Sequence, residues 1–136
     1  MLTPVPARLK LGLLILAVTA GNRVVADVVV DSAVAEAVMS GTARVIVELR
    51  LASELAPEGS LSGADVQLQR EAIASARRAV VAALAASGAR VVREYTTLPF
   101  LALEIDARAL ADLRAMPQRV IRIRADDTAT ATPPSH

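Results

Sequence analysis

The segment from Ala89 to Arg124 constrains the fold of this chain more than any other. Its pattern predicts a strand from Ala89 to Thr96 and, after a three-residue link containing proline, a second strand from Phe100 to Ile105. A helix from Ala107 to Met116 and a last strand from Val120 to Arg124 complete the segment. Two antiparallel strands followed by a helix and a returning strand form one half of a split βαβ unit.

The preceding part of the chain predicts the other half of that unit. The segment from Ala43 to Leu51 has the period of a half-buried strand, with one face formed by Val45, Val47, Leu49 and Leu51 and the other by Arg44, Ile46, Glu48 and Arg50. A helix from about Val66 to Ser87 follows, with Ser62 or Asp65 as its cap and Gly88 as its stop. The core-facing stripe of this helix is expected to be Val66, Ile73, Ala76, Val80, Ala83 and Leu84.

The predicted order is βαββαβ, so the expected class is α+β with a ferredoxin-like arrangement. Right-handed crossovers place both helices on one face of a four-stranded antiparallel sheet. The second helix, capped by Asp106, turns Leu110, Leu113 and Met116 toward that sheet.

The other face of the predicted sheet has no covering element. Its expected apolar centre is Ile46, Phe100, Ala102 and Val120, and its expected charged surround is Arg44, Glu48, Arg50, Glu104, Arg122 and Arg124. An apolar centre within a charged surround is typical of a docking surface. A half-solvated sheet face also occurs in domains of this kind that bind nothing there.

The first 26 residues have the pattern of a secretory signal peptide. Arg8 and Lys10 precede an unbroken run of apolar residues and glycine, Leu11 to Val18. Cleavage is expected after Ala20 or Ala26, which predicts a secreted or periplasmic protein. The run is shorter than the roughly 20 residues of a membrane span, which argues against a transmembrane helix. The alternative to a signal peptide is therefore a helix that anchors the chain at a membrane surface.

Residues 27–42 are rich in alanine and predict one short helix, Ser32 to Met39, ended by Gly41. This lead-in segment is either of little functional content or an ordered extra helix packed on the domain edge. The domain proper is then 43–127, with an extended tail at 128–136.

Residues suited to catalysis are scarce in this chain. It has 136 residues, no cysteine and one histidine, His136, at the extreme C-terminus. Neither a nucleophile with its base nor a set of metal ligands can be assembled from this composition, so we expect no enzyme activity, cofactor or metal. The adjacent Asp126 and Asp127 point in opposite directions if they lie on one strand. A net charge of +1 and the scarcity of aromatic residues argue against a nucleic-acid partner.

The amino-acid sequence of the hairpin and of the last strand resembles that of a known family. The run from Tyr95 to Asp106, the pair Met116-Pro117 and the strand Val120 to Ile123 are similar to propeptide domains of subtilisin-type serine proteases and their stand-alone inhibitor relatives. The resemblance covers roughly Ala43 to Thr132. It implies a domain that binds a protease and performs no chemistry itself, with no membrane anchor after signal cleavage.

The resemblance also implies a binding mode. The sheet face would pack on two surface helices of the protease, an acidic residue after the last strand would cap those helices, and the C-terminal extension would lie in the substrate cleft. Asp126 matches the acidic position, and Asp127 matches it less closely. The implied protease-binding residues are Ile46, Phe100, Ala102, Glu104, Val120, Arg122, Asp126, Thr128, Ala129, Thr130, Ala131 and Thr132.

This sequence departs from the family pattern at the tail. Thr132 stands where a bulky residue is common, and Pro133 follows it. No protease domain follows either, so we expect action in trans as an inhibitor and folding assistant. A detached propeptide of a protease precursor, instead of a dedicated inhibitor, fits the same pattern. The alternative function is a secreted ferredoxin-like module that binds a ligand or dimerises, without a protease partner.

Overall fold

The structure, a computed structural model, describes residues 25–127. Most of the predicted signal peptide and the whole predicted tail, 128–136, lie outside the described residues. The described chain is an α+β fold with a five-stranded mixed open sheet and three α-helices. Its elements are β1 (Val29–Val30), α1 (Ser32–Met39), β2 (Ala43–Leu49), a 3-10 turn (Glu58–Ser60), α2 (Gly63–Ala83), β3 (Arg90–Glu94), β4 (Phe100–Ile105), α3 (Ala107–Arg114) and β5 (Val120–Ala125).

The strands lie in the order β1-β5-β2-β4-β3. Strand β2 is antiparallel to both β4 and β5, and β3 is antiparallel to β4. The expected four-stranded, wholly antiparallel sheet is therefore wrong, because β1 adds a fifth strand parallel to β5. Val29 pairs with Arg122 and Val30 with Ile123, and the backbone N–H of Asp31 donates to Ile123 O at 3.0 Å.

The lead-in segment belongs to the packed domain. Helix α1 has the predicted limits, and its Val34 and Val38 are buried in the main core. Gly41 then takes a φ of 142°, a conformation that side chains other than glycine rarely adopt, and the chain turns into β2. Of the two alternatives for residues 27–42, the structure shows the ordered helix packed on the domain edge.

Local side-chain chemistry starts the other two helices. The Ser62 hydroxyl accepts a hydrogen bond from Asp65 N at 3.2 Å, and an Asp106 carboxylate oxygen accepts one from Ala109 N at 2.8 Å. Helix α2 ends at Ala83 and not at the predicted Ser87, because the chain tightens into turns from Leu84 onward. Ala83 was expected in the core-facing stripe of α2, but the structure leaves it exposed, so its assignment to the stripe is wrong.

The core lies between the helices and one face of the sheet. Its strand residues are Val45, Val47, Leu49, Leu101, Leu103, Ile105, Val120 and Ile123, and its helix residues include Val34, Val38, Val80, Ala109, Leu110 and Leu113, with Leu84 added by the turn that ends α2. All three described helices thus contribute to one side of the sheet. Within residues 25–127, no helix covers the opposite side.

Candidate functional site

The sheet face opposite the helices, here named the open face, is the candidate functional site. The strand register assigns its members from four adjacent strands. They are Arg90 and Arg93 of β3, Phe100, Ala102 and Glu104 of β4, Arg44, Ile46 and Glu48 of β2, and Arg122 and Arg124 of β5.

The middle of the open face is a row of four residues in register. Ile46 pairs with Ala102 on one side and with Arg124 on the other, and Ala102 pairs with Arg93. Ala102 is only 3% exposed although it faces away from the helices, and Ile46 is half-buried. The row is therefore apolar in the middle and has an arginine at each end.

Phe100 forms an aromatic corner beside this row. The Tyr95 ring meets the Phe100 ring edge-on, with 6.2 Å between centroids and 89° between the planes. The guanidinium carbon of Arg124 lies 5.4 Å from the centroid of the same ring, a cation–π contact. These contacts fix the orientation of a half-buried aromatic side chain that a partner protein could contact.

A depression of about 390 Å³ lies at this corner, and the described chain ends in it. Ile46, Tyr95, Phe100 and Arg124 line it, together with the acidic pair at 126–127. The backbone N–H of the first acidic residue, Asp126, donates to Arg44 O at 3.0 Å, which extends the pairing of β5 with β2 by one residue. Asp126 is thus held at the margin of the open face, and the expected cleft residues Thr128 to Thr132 lie outside the described residues.

Val120 was expected on the open face, and the structure places it in the core with no exposed surface. The cause is a β-bulge. Leu49 pairs with Val120 while the neighbouring Glu48 pairs with Arg122, so Ile121 is an extra residue on β5. A fully buried side chain cannot contact a partner, and the prediction for Val120 is wrong. Ala102, although it lies on the open face, is only 3% exposed and offers a partner almost no surface, so its predicted contact is wrong as well.

Ile121 instead lines a groove of about 410 Å³ at one end of the open face. Leu55 and Leu98, which border the groove, are 41% and 42% exposed. Arg50 was expected on the open face but lies just beyond the end of β2, where its Nε donates to Pro117 O at 3.0 Å. The other apolar lining residues are Leu49, Leu51, Ala52, Pro99 and Phe100.

Sequence reasoning did not identify this groove. Leu55 and Leu98 belong to loops, where apolar residues follow no period that would indicate which way they face. Leu51 was assigned to the first strand by its alternation, but β2 ends at Leu49 and Leu51 turns into the groove lining. The groove follows from the close approach of two loops that are distant in sequence.

Charged groups on the open face are only partly neutralised. Arg90 Nη2 lies 3.0 Å from Glu104 Oε2 across β3 and β4. Arg93, Arg122 and Arg124, like Arg44, form no ion pair among residues 25–127. Arg93 and Arg124 border the depression that also contains Asp126 and Asp127, so charges of both signs lie at this corner of the face.

The one carboxyl with a resolved pKa shift lies away from the open face. Arg70 donates two hydrogen bonds to Glu58, from Nε to Oε1 and from Nη2 to Oε2, both at 2.7 Å. This guanidinium holds the pKa of Glu58 below its ordinary value. The pair braces the 3-10 turn against α2 and has no place in a binding role.

Between residues 25 and 127 there is no group of three or more His, Cys, Asp or Glu side chains that could hold a metal ion. No helix in that range is both long and apolar enough to cross a membrane.

Comparisons with protein-family models, with curated proteins and with solved structures gave no match.

Proposed function

We propose that this chain is an exported, propeptide-like inhibitor and folding assistant of a subtilisin-type serine protease. The observation that carries the proposal is an open face with an apolar centre and a charged surround, with Asp126 at its margin just before the C-terminal tail begins. The resemblance of the sequence from Tyr95 to Ile123 to protease propeptides supports the choice of partner.

The open face is wide enough for a docked element of another protein. Its central row crosses four strands, and at about 4.8 Å between neighbours the row spans about 14 Å. An α-helix with its side chains is about 10 Å across, so one helix fits over the apolar middle and a second can contact the margin. The groove beside Phe100 and Ile121 adds apolar surface at one end.

The tail would supply the inhibitory contact. From Asp127 to Thr132 an extended chain reaches about 16 Å, enough to pass from the margin of the open face into a neighbouring cleft. An extended peptide can pair with an exposed strand of its partner, as substrates do. In this proposal the tail occupies the cleft, and Pro133 hinders cleavage after Thr132 because proline is a poor residue on the leaving side.

The same geometry accounts for assistance in folding. A face that is already formed in the free domain can bind two elements of the protease before those elements are stable together. Binding to the folded protease then stabilises the folded state of the protease by mass action. No catalytic group of this chain takes part in either role.

The proposal is tested by titrating the exported chain, residues 27–136, against a panel of subtilisin-type proteases and of chymotrypsin-fold proteases. We expect one-to-one inhibition of at least one subtilisin-type enzyme and no comparable inhibition of the chymotrypsin-fold proteases. Ile46→Asp places a charge in the apolar centre and should weaken inhibition. Leu68→Asp is the matched control, because Leu68 is 69% exposed on α2, away from the open face. Failure to inhibit any subtilisin-type enzyme would refute the proposal.

The second candidate function is a secreted ferredoxin-like module that binds an apolar ligand or dimerises. The groove of about 410 Å³ with its exposed leucines is the observation that favours it. Sedimentation equilibrium distinguishes the two functions. A dimer that Leu55→Asp in the groove dissociates, in a chain that inhibits no protease, would establish the second.

A further inference from the structure

The segment from Leu51 to Pro57 connects β2 to the 3-10 turn and has little backbone pairing. It belongs to no helix or strand, and its residues Ala52 to Leu55 are exposed. Of the backbone groups from Leu51 to Ala56, only those of Ala56 form hydrogen bonds with another part of the described chain. Exposed connections of this kind are preferred sites of proteolytic cleavage in folded domains.

Gln69 of α2 holds this segment at Ala56. The backbone N–H of Ala56 donates to Gln69 Oε1, and Gln69 Nε2 donates to Ala56 O, both at 2.9 Å. The side-chain amide thus binds both backbone groups of one residue, as the opposite residue does in an antiparallel strand pair. A protease that binds an extended substrate pairs with the same kind of backbone group, so it competes with Gln69 for Ala56.

Leu55 is the exposed side chain of the segment that suits an apolar specificity pocket. It is 41% exposed, and between residues 25 and 127 three other leucine or methionine side chains are exposed as well. Met39 and Leu68 lie in helices, where the backbone is already hydrogen-bonded. Leu98 precedes Pro99, and proline on the leaving side hinders cleavage. Leu55 alone among the four lies in irregular backbone with no proline after it.

We propose that the peptide bond between Leu55 and Ala56 is where a protease with an apolar specificity pocket first cuts the folded domain, and that Gln69 limits the rate of this cut. Water adds to the carbonyl carbon of Leu55 and the C–N bond to Ala56 breaks. The products are a carboxylate on Leu55 and an amino group on Ala56. This site goes beyond the proposed function and does not depend on it, because it requires no inhibition.

Cleavage at this bond separates the middle strand of the sheet from the rest of the chain. The fragment that ends at Leu55 contains β1, α1 and β2, and β2 pairs with both β4 and β5. The two fragments stay folded only while they are associated, so the stability of the cut domain depends on its concentration. A single cut therefore makes the whole sheet, with its open face, unstable in dilute solution.

The experiment follows digestion of the exported chain, residues 27–136, by chymotrypsin, which has an apolar specificity pocket. Mass spectrometry identifies the first fragments. The test variant is Gln69→Ala, and the matched control is Gln67→Ala, because Gln67 is an exposed glutamine on the same helix. Adding Leu55→Asp to the test variant checks that the cut depends on the leucine side chain.

The first fragments of the wild-type chain should be 27–55 and 56–136. Gln69→Ala should speed this cut about tenfold, because it removes the two hydrogen bonds that hold Ala56, and Gln67→Ala should match the wild type. Adding Leu55→Asp should remove the cut. The melting temperature of the cut chain should fall on dilution, and that of the intact chain should not.

Circular dichroism checks the fold of each variant. If Gln69→Ala does not fold, Gln69→Leu replaces it, since leucine fills similar space and forms neither hydrogen bond. The same acceleration of about tenfold is expected for it.

Three results would overturn the inference. A first cut at any other bond would remove the site. Equal rates for Gln69→Ala and Gln67→Ala would remove the role of Gln69. A cleavage rate that rises steeply in about 1 M urea would show that the bond is reached only by global unfolding, because the slope with urea scales with the surface exposed on opening. None of these results tests protease inhibition, so the proposed function stands or falls separately.

Discussion

The β-bulge in β5 makes a quantitative prediction about two neighbouring residues. Val120 is fully buried in the core, whereas Ile121 is half-buried and lines an open groove. Val120→Ala removes two carbon groups from the core, which costs about 1.6 kcal/mol in transfer free energy at about 0.8 kcal/mol for each. The cavity left behind raises the expected loss of stability to about 2–3 kcal/mol.

Urea denaturation followed by circular dichroism measures this loss. For a domain of this size a slope of about 1.5 kcal/mol per molar urea converts it into a midpoint about 1–2 M lower. Ile121→Ala removes more carbon atoms but from a side chain still in contact with solvent, so its free energy of unfolding should fall by less than about 1 kcal/mol.

The comparison between the two variants tests whether the β-bulge lies where the structure places it. A larger loss for Ile121→Ala than for Val120→Ala would mean that β5 keeps strict alternation and that the bulge is misplaced. Val120 would then return to the open face, where the sequence pattern alone put it. Equal losses would also contradict the structure, because one site is enclosed and the other is open.

Further predictions concern the open face, the tail and one ion pair. Phe100→Asp should weaken protease inhibition about tenfold or more, since interface aromatics are often central to binding, with little change in the melting temperature. Truncation after Asp127 should abolish most inhibition in a titration and leave the circular dichroism spectrum unchanged. Pro133→Ala should speed cleavage of the tail by the inhibited protease, as followed by mass spectrometry. Because Arg70 lowers the pKa of Glu58, their pair stabilises the fold above the ordinary carboxyl pKa and loses this effect as pH falls through the folded-state pKa. Glu58→Gln should therefore lower the urea midpoint near neutral pH and match the wild type in strong acid.

The parts of the fold that could be predicted are those set by local chemistry. Strand β4 has the predicted limits, Phe100–Ile105, because Leu101, Leu103 and Ile105 alternate between a proline and a capping aspartate that bound the strand. Asp106 caps its helix as expected, and Ser62 is one of the two caps expected for α2, since a cap needs only a side-chain oxygen near a backbone N–H. The inward set of β2 was likewise visible as a period of two.

The parts that could not be predicted depend on tertiary contacts. Val120 and Ile121 are both apolar, so nothing in their identity shows that the alternation shifts between them. A second register shift, between Val91 and Arg93, similarly breaks the pattern of β3, which is shorter than expected. Strand β1 has only two residues, too few for a sequence pattern to indicate a strand, and it is identified by its pairing with β5.

The pairing of β1 with β5 joins the two ends of the described chain, and this bears on when the domain can fold. Contacts between residues so distant in sequence form late, because a long loop must first close. The edge of the sheet stays incomplete until the last strand has left the ribosome. If the first residues direct export, as we predict, a chain exported while it is being synthesised enters the translocation pore with this sheet edge still open, and no completed domain then has to be unfolded for threading.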